Sequence, residues 1–334
     1  MIRHLIVVGS LLLSAASASA GVLKDFNLIA FGNVSGKSHV HGRSLIFGDI
    51  VKGTMDFAQD KLVDSGPVTP GASYENDGLI LGGQLKTNIK VNNGNAKLKE
   101  AQIAGAKIDN AKTIYDADGV QAILDDARAE VDRLTSYFDT LNANSKTDLA
   151  DMNNAKFITT PGKDGVAVFD LTEQVGQPYF FDRKNGGASL VGDPEPTGDL
   201  FLIKDDATSI NFLSGLNLNM NEFNKASFLD RIVWYFPNAT TVNVNGALNG
   251  ALIAPNATID FQSNITGTVV GNNVVLSAEI HLPNLALPPL PTVPPTPPTS
   301  AAPEPASIAS FGVLLCAALA HRRHRRRAKR SQIA

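Results

Sequence analysis

The 334-residue chain has a single cysteine, Cys316, so everything before it holds no disulfide and must draw its stability from burial and backbone pairing. Histidine is nearly as scarce: apart from those in the terminal segments, only His39, His41 and His281 are present. There is no G-x-S-x-G elbow, no P-loop and no H-E-x-x-H pair, which removes the common signatures of esterases, nucleotide enzymes and zinc proteases. No uninterrupted apolar run reaches the roughly 20 residues that span a bilayer. Basic residues are few in the middle of the chain. Without Arg3 and the seven Lys and Arg between 322 and 330, 21 of the 29 basic residues remain against 32 acidic ones, a net charge of about −11 against −3 for the whole chain. So acidic a body argues against binding nucleic acid through a basic surface.

What is present begins with two distinctive ends. Arg3, the apolar stretch Leu5 to Leu13 and the small residues Ala18-Ser19-Ala20 come in the order of a secretory signal, with cleavage expected between Ala20 and Gly21 by signal peptidase. At the other end Pro303-Glu304-Pro305 precedes the uncharged stretch 306–320 and then the basic cluster Arg322, Arg323, Arg325, Arg326 and Arg327. Fifteen residues are short for a span, but flanking residues that snorkel lengthen it, and a C-terminal transmembrane helix is the expectation. The cluster would stay cytoplasmic and leave the body outside. Together these three parts resemble the PEP-CTERM sorting signal of Gram-negative bacteria that make exopolysaccharide. The resemblance implies processing by an exosortase-type enzyme after transient anchoring in the inner membrane. Residues 285–302 are proline-rich, so they neither pair into a sheet nor continue a helix. They read as an extended, semi-rigid stalk.

Residues 21–284 form the body, where short apolar runs alternate with Asn and Gly turns. Leu28-Ile29 recurs as Leu45-Ile46 and, after twice that interval, as Leu79-Ile80. Pro237-Asn238-Ala239-Thr240 recurs as Pro255-Asn256-Ala257-Thr258, at nearly the same interval. Gly250-Ala251-Leu252-Ile253 corresponds to Gly267-Thr268-Val269-Val270, and Val274-Val275-Leu276 begins a further rung. A period of about 17 to 18 residues suits a coil of three short strands at about 3.3 Å per residue. Alternate residues of Val242-Asn243-Val244 and Ile259-Asp260-Phe261 would point inward. The fold expected is therefore mainly β: a right-handed parallel β-solenoid (β-helix), each rung paired with those above and below. The alternative is a β-sandwich, which seldom repeats a register in sequence.

One segment departs from this pattern. From Asp118 to Asn142 the apolar residues Val120, Ile123, Leu124, Ala127, Val131, Leu134, Phe138 and Leu141 recur at helical spacing, with charged residues between them. A single long amphipathic α-helix needs an apolar surface, and we expect it packed alongside the solenoid, covering one face.

Four segments then carry a resemblance: Phe26 to Asn33, the helix, Gly250 to Ala257, and Gly267-Thr268-Val269-Val270 with Glu279-Ile280-His281-Leu282-Pro283. The body resembles the choice-of-anchor A domain, an ice-binding-like adhesive β-helix found with various surface anchors. That resemblance implies fold and surface display and carries no catalytic residue.

His39 and His41 would share one strand face, the geometry of a metal pair, but no third ligand accompanies them in sequence. Asp56 to Asp64 and Asp116 to Asp118 lack the spacing of a calcium loop. A polysaccharide lyase or hydrolase on a β-helix would need clustered carboxylates, and Asp49, Asp56, Asp260 and Arg43 are the candidates. Ice binding would need rows of threonine, of which Thr240/Thr241, Thr258 and Thr266/Thr268 supply a fragment. The sequons at Asn33, Asn238, Asn256 and Asn264 read as turn asparagines. No catalytic residue, metal or cofactor is expected. The reading is a non-enzymatic adhesin or matrix-structural protein at the cell surface, with an exopolysaccharide or surface ligand as partner. A polysaccharide-active enzyme and an ice-binding protein are the alternatives.

Overall fold

A computed structural model describes residues 21–287, apart from 66–67, 69–71, 152, 173–178 and 193–194. The signal segment before Gly21, the stalk beyond Leu287, Pro303-Glu304-Pro305, the expected transmembrane helix and the Arg322–Arg327 cluster lie outside these residues. No described helix is long and apolar enough to cross a membrane.

The body is mainly β, and its strands stack in parallel as in a β-helix. Apolar pairs set between Gly and Asn corners make most strands only a few residues long, while Ala251–Phe261 and Val269–Leu276 run on to a second face. On one face the strands run in the spatial order Thr113–Tyr115, Asn95–Leu98, Asp77–Leu81, Ser44–Ile46, Leu28–Ala30, Val269–Leu276, Ala251–Phe261, Ile232–Tyr235, Leu200–Lys204 and Val166–Asp170. The chain thus climbs from the middle to one end, returns past the stack, re-enters at the far end and descends. Its last coil pairs with its first: Leu28 lies opposite Val269 and Ile29 opposite Val270.

The return is made by the helix Ala117–Thr140, whose N-cap Asp116 accepts a 3.0 Å hydrogen bond from the Gly119 amide through its side chain. Its 24 residues reach about 36 Å at 1.5 Å each, against about 43 Å for ten strands some 4.8 Å apart. One helix of this length covers most of the face. Val120, Ile123, Leu124, Ala127, Val131, Leu134 and Phe138 are all buried there, each stabilising the fold by roughly 1.5–3 kcal/mol if full-sized. Their partners are the outward side chains of the strands, among them Ile29, Leu45, Ile80, Val270, Ile253, Tyr235, Leu202 and Val168. Polar contacts fix the position. The Arg128 guanidinium sits 3.4 Å over the Phe31 ring, and Tyr235 donates a 2.8 Å hydrogen bond to Asp139.

With the helix outside and the lumen inside, most of these strands are buried on both sides, the end strand Thr113–Tyr115 excepted. Runs such as Leu200-Phe201-Leu202-Ile203 and Ile232-Val233-Trp234-Tyr235 are accordingly apolar throughout instead of alternating. Before the helix the lumen is lined mainly by aliphatic residues, with Met55 and Phe57 beside them. After the helix it is filled by Phe157, Phe180, Phe212, Phe223 and Trp234. The coils there are nearly twice as long, with Val166 opposite Leu200 and Phe201 opposite Ile232. Trp234 satisfies its ring N–H by donating to the Asn249 carbonyl at 2.9 Å.

The structure corrects several details of the repeat. Ile29 lies opposite Leu45, and Leu45 opposite Ile80, so the first interval is one residue shorter than the repeated pairs suggest and the second one residue longer. Leu28 therefore points into the lumen while Leu45 points out beneath the helix. A one-residue slip reverses every side chain, and a strand buried on both sides has no polar residue to mark the difference. Likewise Thr241 pairs with Thr258, one residue closer than the Pro237–Pro255 recurrence implies. Val274-Val275-Leu276 opens no further rung but forms the second side of the last coil, against Val34-Ser35-Gly36. The pairing of Leu252 with Val269 is as expected.

Candidate binding face

A second face of the stack has no helix over it. It comprises Ser209–Phe212, Thr241–Val244, the later parts of Ala251–Phe261 and Val269–Leu276, then Val34–Gly36 and Ile50–Gly53. Here the strands alternate. Ile210, Val242, Ile259, Val274 and Val34 point into the lumen, and the residues beside them point out. Register places the outward groups in two rows. One is Ser209, Thr241, Thr258 and Asn273; the other is Asn211, Asn243, Asp260, Val275, Ser35 and Lys52.

The side chains of these rows bond along the stack, which holds them in place. Thr241 donates to Ser209 Oγ at 3.3 Å, Asn273 to Thr258 Oγ1 at 3.5 Å, and Asn245 to Asn211 Oδ1 at 2.9 Å. The face offers mainly neutral hydroxyl and amide groups at the regular strand spacing, with the apolar Val275 among them and Asp260 and Lys52 as its two charges. It suits a repeating polar ligand rather than a charged one.

The corner beside it is built from a ladder of side chains. Asn273 Oδ1 accepts from the Asn33 amide at 2.9 Å, Asn33 Oδ1 from Asp49 at 2.8 Å, and Asp49 Oδ1 from Gln84 at 2.7 Å. The Lys86 ammonium lies 2.5 Å from Asp49, and this bond, with that from Gln84, holds the Asp49 carboxyl below the ordinary carboxylate range despite partial burial. At the opposite corner Gly36 and Gly53 stack so closely that a Cβ on Gly53, whose φ is +108°, would lie 1.6 Å from the Gly36 carbonyl oxygen.

The third face brings the histidines together in an unexpected way. His39 lies 3.4 Å from Asp56, which also faces Lys90 at 3.9 Å. His41 instead meets His281, from the far end of the body, with ring centroids 4.3 Å apart. Glu279 Oε2 is 3.1 Å from His281 Nε2 and 3.6 Å from His41 Nε2. Asp60 Oδ2 is 3.0 Å from His41 Nδ1, and Asn264 Nδ2 is 3.1 Å from His281 Nε2. Burial, and then the neighbouring His41, push the His281 imidazole below its ordinary pKa, although Glu279 and Asp60 oppose this. The pairing of His39 with His41 expected from sequence is thus not formed: His39 faces Asp56, and the ring that meets His41 is His281, on the strand Ile280–His281 that pairs with Ile265–Thr266 and, through Val40, with the first coil.

The carboxylates weighed for catalysis are not gathered. Asp49 serves the corner ladder, Asp56 faces His39, Asp260 accepts from Gln262 at 2.9 Å on the open face, and Arg43 is buried with its guanidinium on the Glu75 carbonyl. Of the threonines, only Thr241 and Thr258 share the open row. Thr266 is on the third face and Thr268 is buried, its hydroxyl donating to Phe26 at 3.2 Å. Asn256 and Asn238 lie at the same corner, with Asn256 donating to the Pro237 carbonyl. Gly21, next to the expected cleavage point, accepts the Asp25 amide at 3.1 Å.

A family model described as an Ice-binding-like adhesive domain matches residues 19–282. No curated protein sequence matches the chain. Among solved structures, the chain is similar to an ice-binding protein of the Antarctic ascomycete Antarctomyces psychrotrophicus at 14% identity, over 78% of this chain and 96% of that one, with a TM-score of 0.35. It is also similar to the DUF3494 domain of Shewanella frigidimarina ice-binding protein 1, at 16% identity over 80% and 97%, with a TM-score of 0.36. A glycosylated ice-binding protein from an Arctic yeast gives 12% identity over 84% and 98%, with a TM-score of 0.34.

Proposed function

Because the chain belongs to the ice-binding-like adhesive domain family, we propose that it is a non-enzymatic, surface-displayed binding protein that engages its ligand through the open face. The observation that carries this reading is the contrast between one face sealed by the helix and another left uncovered with its polar groups in register. Each hydroxyl or amide contact is weak, and a rigid array sums many of them against a repetitive ligand. Exopolysaccharide, with its regularly spaced hydroxyls, is the partner this chemistry suits. In the same reading the coils wind right-handed, the sense that crossovers between parallel strands almost always take. The chain is exported by the signal ending at Ala20 and delivered by the Pro303-Glu304-Pro305 tail to the cell surface or matrix.

A second reading, ice binding, is favoured by the in-register hydroxyls of Ser209, Thr241 and Thr258 on that same face. Purified protein is to be assayed for retention on immobilised exopolysaccharide of the producing strain, and in parallel for thermal hysteresis and ice recrystallisation inhibition. Thr241→Arg with Asn243→Arg should abolish whichever activity is present, by placing long cations across the array. Activity that survives this double substitution would place the ligand elsewhere and sink the reading.

A further inference from the structure

We infer that His41, Glu279 and His281 form a binding site for one divalent cation of the zinc class, set where the first and last coils meet. Each of the three residues offers one ligand atom, all within 4.8 Å of one another, and Glu279 Oε2 faces Nε2 of both rings. Four ligands at the 2.0–2.1 Å of zinc in a tetrahedron stand about 3.3–3.4 Å apart. The two distances from Glu279, 3.1 and 3.6 Å, bracket that edge. Two imidazoles and one carboxylate leave a fourth position for water.

The surroundings point the same way. A carboxylate can only accept, so the 3.0 Å contact of Asp60 with His41 Nδ1 places a proton on Nδ1, and Nε2 is the ring nitrogen turned toward Glu279. A carboxylate behind a histidine is the usual outer support of a metal ligand. His281 is held from the other side: its neighbour Glu279 donates its amide to Asn264 Oδ1 at 3.0 Å, and Asn264 Nδ2 is the competing donor that an ion at His281 Nε2 displaces. His39 takes no part, because its ring faces Asp56.

Such a site joins residue 41 to residue 281 and so ties the two ends of the body together. An ion bound only by the folded state stabilises it by mass action. This inference stands apart from the ligand of the open face.

The test uses tag-free protein with His321 and His324 replaced by alanine in every sample, stripped with chelator and dialysed against limiting Zn²⁺. We expect one equivalent of zinc by elemental analysis, an unfolding midpoint that rises with zinc, and visible absorption of four-coordinate Co²⁺ on substitution. His41→Ala and His281→Ala should each abolish the equivalent, Glu279→Gln should weaken it, and His39→Ala should retain it. Asp60→Asn, which keeps shape, should weaken affinity about 10–100-fold. The near-isosteric Glu279→Gln and Asp60→Asn keep the test decisive should an alanine variant unfold. Substoichiometric zinc in the parent, or binding unchanged by Glu279→Gln and Asp60→Asn, would overturn the site.

Discussion

The two sides of this solenoid are made from the same kind of coil and differ in what lies over them. On the covered side the outward residues are Ile29, Leu45, Ile80, Val270, Ile253 and Leu202, and the helix Ala117–Thr140 packs on them. On the open side the corresponding positions hold Ser, Thr, Asn and Asp, with Val275 and Lys52 among them, and lumen residues such as Val242 and Ile259 alternate with them. Stability and binding are thereby separated. The covered side holds stabilising apolar contacts that a ligand cannot reach, whereas the open side holds groups whose loss the lumen beneath scarcely registers.

The strongest test of this separation is Phe138→Ala, which removes a fully buried ring packed 5.4 Å from Tyr235. It should cost about 3–5 kcal/mol, read as a lower denaturant midpoint. Next comes Gly53→Ala at the rim of the open face. A Cβ there meets the Gly36 backbone in a positive-φ conformation, so a loss of about 1–3 kcal/mol is expected, together with weaker ligand binding through distortion of the neighbouring row.

Asp49→Ala should cost roughly 1 kcal/mol at neutral pH, through its bonds to Gln84 and Lys86. Because the folded-state pKa lies below the unfolded one, this contribution is complete above the ordinary carboxylate range and is lost as pH falls through the depressed value. Parent and variant should therefore converge in acid, and thermal melts along a pH series would check it. The smallest effect on stability belongs to Thr241→Ala and Asn243→Ala, within about 0.5 kcal/mol because both are exposed. If either shifts the melting curve as far as Phe138→Ala does, the open face is structural and the contrast fails.

Much of the architecture was legible locally. The stripe from Val120 to Phe138 placed the helix and the side it buries, and the alternation in Val242-Asn243-Val244 placed lumen and surface. The first-half register was not legible: in Leu28-Ile29 and Leu45-Ile46 both residues are buried, so hydrophobicity cannot tell which one faces the lumen. Of the binding face, the pairing of Thr241 with Thr258 was within reach of the repeat. The addition of Ser209 was not, because the longer coil from Phe201 to Ile232 interrupts the period. The His41–His281 contact left no signal at all. Its partners stand at opposite ends of the body, and nothing in a local pattern says that the last coil docks on the first.

By itself the sequence determined the short strands, the turn-rich corners, the single amphipathic helix and an acidic body free of disulfides, because each follows from composition or from a period of a few residues. Only the tertiary structure decided the order of the coils, the face the helix leaves open and the histidines gathered at the seam. Those depend on where a chain returns after a 24-residue helix, and closure over such distances is set by the packing of the whole stack.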